Sequence, residues 1–243
     1  MRGKKPQAGN FKKMNFFAKS YRISPTSGML IVYDFLSKET REHKISSKNP
    51  MGIAMIDDCF FLSGVGYEST PYKRLSDTIA VFSEGKLYTR GTAKSVKEDS
   101  EISKKCSSHM IIPFVNSLGE KCNLKLTGTQ RNEFMNFKKG VSKGMDSGEY
   151  FDLAPDFKIT GVKEIEYEVN KIRKKAMVPV FEYIGDLKYS EKAIEGLSDE
   201  WGEYMQYDFT GADENENTNN AIPPSVPAES LENQGSLVDD LPF

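Results

Sequence analysis

Residues 208–243 contain eight Asp or Glu, no Lys or Arg, and few apolar residues ahead of Leu237. A segment of that composition cannot bury enough surface to offset its ordering entropy, so it reads as a disordered acidic tail. Any core must therefore come from the residues before it. The expected organisation is a folded domain over 1–189 with 1–10 as a flexible lead-in, a short amphipathic helix over 190–207, and the tail over 208–243.

The formal net charge of −2 hides an asymmetry. Up to Tyr189 the chain carries a net +10; from Ser190 onward it carries −12, with Lys192 the one basic residue. A cationic body joined to an anionic tail points to a polyanion as partner. With 38% apolar and 28% charged residues the body suits an ordinary globular protein, and no apolar run approaches the roughly 18 residues a membrane span needs. The basic start, MRGKKPQAGNFKK, is not followed by an apolar segment with a cleavage site, so no secretory signal is expected.

Cys59, Cys106 and Cys122 are odd in number and irregular in spacing, which predicts reduced thiols and a cytoplasmic setting. Cys106, His109 and Cys122 provide three potential zinc ligands, one short of a closed structural site. No metal or cofactor is expected.

MLIVYDFL (29–36) reads as a strand and MGIAMIDDCFFLSGVGY (51–67) contains another, with Gly64 and Gly66 marking a bulge or bend. TIAVFSEGKLYTRGT (78–92) reads as a hairpin turning at Ser83, Glu84 and Gly85, where the glycine supplies a positive φ. The polar stretch 95–108 reads as a loop. HMIIPFVN and KCNLKLTG form a second hairpin, and a helix follows with Thr129 as cap and Phe134, Phe137 and Val141 on one face. FKITGVKEIEYEV and MVPVFEYIGDL form a third strand pair around NKIRKKA. In the helix over 190–207, Ile194, Leu197, Trp201 and Met205 share a face, with Trp201 a core anchor. Several strands, a helix and more strands predict a mainly β fold, an antiparallel barrel of the oligonucleotide-binding (OB) kind, with a sandwich as the alternative.

Holding an unpaired strand takes cations for phosphates and flat rings for bases. In KLYTR, Lys86, Tyr88 and Arg90 alternate, so all three project from one face of the strand. Tyr72, Lys73 and Arg74 repeat the combination in a loop, and Lys171, Arg173, Lys174 and Lys175 cluster at a hairpin tip. An exposed strand and a solvated charge run would give the same patterns, so the weight rests on their coincidence in a +10 body. No P-loop, GxSxG, HExxH or CxxC is present, and the adjacent Asp57 and Asp58 lack a companion carboxylate cluster. The chain does not read as an enzyme.

SLVDDLPF places Asp239, Asp240, Leu241, Pro242 and Phe243 on the acidic tether. An apolar end with a stiffening proline suits insertion into a partner's pocket, with the aspartates facing basic residues beside it. This segment resembles the acidic tip of bacterial single-stranded DNA-binding proteins, which end in two or three Asp, then Ile or Leu, Pro and Phe. The usual bacterial domain is shorter and lacks the long region after KLTGTQRNEF; strands, a helix and an acidic tail at this length look more like the phage-encoded or mobile-element members. The resemblance implies an OB fold, coating of single-stranded DNA in replication, recombination and repair, and recruitment of such proteins through the tip. It implies a bacterial cytoplasm, including that of a phage-infected cell, as the setting, and leaves a homo-oligomer open. Two other readings remain: a strand-annealing recombination mediator, and a phage protein that imitates the host tip without binding DNA.

Overall fold

The computed structural model describes residues 17–205, apart from 85, 144–151, 170, 186 and 188. The expected lead-in, Gly85 and the whole acidic tail with its tip lie outside the described residues. The chain is mainly β. In chain order it forms β1 (Lys19–Ile23), β2 (Leu30–Asp34), β3 (Thr40–His43), β4 (Met51–Met55), β5 (Cys59–Gly64), β6 (Tyr67–Ser69), β7 (Thr78–Ser83) and β8 (Lys86–Thr92). Helices α1 (Ala93–Glu98) and α2 (Ser100–Lys105) follow, then β9 (Cys106–Val115), β10 (Lys121–Thr127), α3 (Gly128–Val141), β11 (Phe157–Val169), β12 (Ile172–Tyr183) and α4 (Glu191–Met205). None of the described helices is long and apolar enough to cross a membrane.

These elements fall into two compact units, residues 60–108 with 202–205, and residues 17–59 with 109–201, where the sequence reading has a single domain. In the first, β5, β6, β7 and β8 follow one another antiparallel. Gly66 turns β5 into β6 at φ +74°, and a Cβ on Gly64 would collide with the Lys105 carbonyl, so both glycines are required. The stretch expected as a loop instead forms α1 and α2. Thr92 caps α1 through its hydroxyl to the Ser95 N–H (3.1 Å), and Asp99 caps α2 at the Glu101 and Ile102 N–H groups. Six residues per helix are too few to show a period, yet Ala93, Val96 and Ile102 close a core with Leu62, Tyr72, Ile79 and Val81.

The stretch 51–67, expected to contain a strand, forms two, β4 and β5, with a break at 56–58. In the second unit β1 pairs antiparallel with β2 and parallel with β10, a long-range ladder no local pattern announces. The order continues through β9, β4, β11 and β12, while β3 lies outside β2. No ladder among the described residues closes the strands of either unit into a ring. Ile53, Phe114, Leu124, Phe134, Phe157 and Val178 are fully buried. Phe134 and Phe137 of α3 interlock with Phe157 and Phe181 at centroid distances of 5.2–5.9 Å. Gln130 Nε2 donates to the carbonyls of Ile23 and Met177, and the Met177 N–H donates to Pro25 O at 2.7 Å.

Asp57 and Asp58 lie in the break between β4 and β5 and anchor two helices. Trp201 Nε1 of α4 donates to Asp57 at 3.0 Å, and Lys138 Nζ of α3 donates to Asp58 at 2.8 Å with both side chains buried. Trp201 and Leu197 are buried, as the helical face predicts.

Candidate nucleic-acid interface

The β7–β8 hairpin is irregular where the sequence pattern assumes regularity. Val81 pairs with Thr89 and Phe82 with Leu87, so Tyr88 is the extra residue of a β-bulge. Cross-strand partners share a face, which places Arg90 with Ala80 and Lys86 with Ser83, on opposite sides of the sheet. The expected row of Lys86, Tyr88 and Arg90 on one face is therefore corrected. A bulge re-aims a side chain, and Tyr88 meets Tyr67 edge-on at a centroid distance of 5.3 Å. Tyr88 remains 45% exposed beside an exposed Leu87. The turn places Glu84 in the left-handed region, at φ +51°.

Tyr67 carries a cation as well. Lys105 Nζ at the end of α2 lies 5.2 Å from the Tyr67 ring centroid and donates to its hydroxyl at 3.3 Å. It also pairs with Glu101 one turn earlier at 3.0 Å. The Glu101 carboxylate first, and then the Tyr67 hydroxyl, hold the Lys105 ammonium above the ordinary lysine range, so it is charged at every physiological pH. Two partly exposed tyrosines, Lys105 over one of them and Lys86 two residues before the other form one cation–aromatic surface. Lys105 was not among the residues singled out in the sequence. A position inside a polar stretch gives no sign of the two caps that fold it back over β6.

The second motif separates. Tyr72 is 3% exposed, stacks on Phe60 at 5.5 Å and hydrogen-bonds Ser108, so its ring is a core element and not a stacking platform. The Lys73 and Arg74 N–H groups bind the Asp77 carboxylate at 2.8 and 2.9 Å, which fixes the loop and leaves Arg74 at the surface.

The basic cluster at 171–175 is also placed differently. β12 begins at Ile172, so only Lys171 belongs to the turn. Across the ladder Glu168 faces Arg173, Tyr167 faces Lys174 and Glu166 faces Lys175. Lys175 pairs with Glu164 at 2.7 Å and lies 3.8 Å from Glu166, and its ammonium is held above the usual lysine value, foremost by the Glu164 carboxylate. The acidic strand thus offsets much of the basic one. The matching of alternate acids on β11 with cations on β12 is visible only in the pairing register.

The three candidate zinc ligands are spread along the β9–β10 region. Burial pushes Cys106 up to about 11 and Cys122 up to about 12. Cys122 faces Phe114 while His109 faces Thr127, five steps along the same ladder. Among the described residues no three His, Cys, Asp or Glu are grouped to hold an ion. Comparison with protein-family models, curated proteins and solved structures gives no match.

Proposed function

We propose that the chain binds single-stranded nucleic acid without sequence preference, DNA in replication, recombination or repair. The observation that carries this reading is the Tyr67–Tyr88 pair with Lys105 and Lys86, stacking faces and cations together on one unit. Bases stack on Tyr88, and the lysines follow the phosphates. Arg74, Lys171 and Arg173 supply further positive charge, and the +10 body supplies long-range attraction.

The second unit is read as an incomplete OB-type barrel. Supporting this are the parallel β1–β10 ladder and the return of β12 to the end of β1 through the Met177–Pro25 bond, with Gln130 joining the two. In this proposal Asp239, Asp240, Leu241, Pro242 and Phe243 recruit partner proteins to the coated strand.

Anisotropy titration of the full chain with labelled poly(dT) and with duplex DNA at several salt concentrations tests the reading. Tight, salt-sensitive binding of the single strand is expected, weakened by Tyr88→Ala through the loss of about 1–3 kcal/mol of stacking. Equal binding of duplex, or no binding to either, overturns it.

A further inference from the structure

Beside the core phenylalanines lies a groove of about 540 Å³ lined by Phe137, Gly140 and Val141 of α3 and by Phe181 and Tyr183 of β12. Tyr183 is 55% exposed. One wall is a strand edge. Met177 turns its N–H away from β11, to Pro25, whereas Val180 O accepts from Thr160 and the Ile184 N–H donates to Asp156 O, both on the β11 side. Backbone groups alternate along an antiparallel strand, so residues 179, 181 and 183 direct theirs outward. Position 179 is a proline and offers no N–H. Among the described residues nothing pairs with this edge at Phe181 and Tyr183. An aromatic groove beside two open backbone positions fits an extended peptide added as a strand.

We propose that this groove takes the chain's own segment Asp239–Phe243, docked antiparallel to β12 with Leu241 opposite Tyr183 and Phe243 opposite Phe181. The sequence of the segment fits that register. Leu241 and Phe243, two apart, put both side chains on the face of Phe181 and Tyr183 and both backbones toward β12. Pro242 falls at the alternate position, where its missing N–H faces away from the ladder; at 241 or 243 a proline would break it. Asp239 and Asp240 bring negative charge to a region where exposed Lys139 in the last turn of α3 is followed by exposed Lys143 just beyond it. A second copy is a poorer occupant. Antiparallel pairing of two β12 edges about residue 182 would set Glu182 opposite Glu182, a like-charge pair at the centre of the ladder. Thirty-eight residues follow Met205 up to and including Phe243, a length that can span up to about 125 Å at full extension, so chain length does not forbid the docking. This inference does not rest on nucleic-acid binding.

Photo-cross-linking of the full chain tests it, with Phe243→p-benzoylphenylalanine in a mixture of isotopically heavy and light copies. The expected adducts join residue 243 to 137–141 or 180–184 of the same copy. Their yield should fall about tenfold in Tyr183→Glu, a surface change that spares the core. It should fall as far when Leu241→Pro and Pro242→Leu are made together, which preserves composition and shifts only the missing N–H. Adducts elsewhere, adducts between heavy and light copies, or yields unmoved by both variants overturn the proposal.

Discussion

Single residues here are decided by what lies across from them. Lys138 and Asp58 form an ion pair out of contact with water, and such a pair is held by its geometry and not by net gain over an apolar pair. Lys138→Met, which strands the carboxylate, should lower stability by about 3–5 kcal/mol in urea denaturation. Adding Asp58→Leu should restore part of the loss, because no buried charge then lacks its partner. Lys105 illustrates the opposite case at the surface. Glu101 competes with any phosphate for its ammonium, so Glu101→Gln should tighten binding of labelled poly(dT) and steepen its salt dependence. A merely structural Lys105 would leave both unchanged.

At the level of elements, the hairpins show local chemistry yielding to register. Lys171 turns β11 into β12 at φ +64° in a two-residue loop, where glycine is the favoured residue. Lys171→Gly should raise stability by about 1 kcal/mol, read as a shift in the urea midpoint at unchanged slope. The same ladder explains why the basic run at 171–175 misleads. Read along the chain it is a cluster of cations; read across the ladder Arg173 meets Glu168 and Lys175 meets Glu166, with Glu164 also paired to Lys175. In β8, one extra residue sends Lys86 and Arg90 to opposite faces and tilts Tyr88 onto Tyr67. Strand existence was legible from apolar alternation, but a bulge leaves the alternation of residue types untouched and only shifts what faces what.

Over the whole molecule, the titration of buried groups sets an alkaline limit. Burial raises the Cys106 and Cys122 thiols to about 11 and about 12, and burial first, then the Cys122 charge, raises the Tyr21 phenol. In the unfolded chain thiols ionise near pH 8.5. The unfolded state therefore loses protons before the folded state does, so this stability is complete below about pH 8.5 and declines as pH rises toward 11–12. Urea midpoints should fall steadily between pH 9 and 11, and the fall should be shallower in Cys122→Ala. Sequence alone determined the mainly β character, the amphipathic α4 with its buried Trp201, and a cationic body followed by acidic residues. These follow from composition and short periods, which act over a few neighbouring residues. Only the tertiary structure decided that Tyr72 is core, that a polar stretch folds as two capped helices bringing Lys105 over Tyr67, and that β1 lies parallel to β10. Each of these depends on contacts between residues far apart in the chain, whose free energy is realised only once the strands are in register.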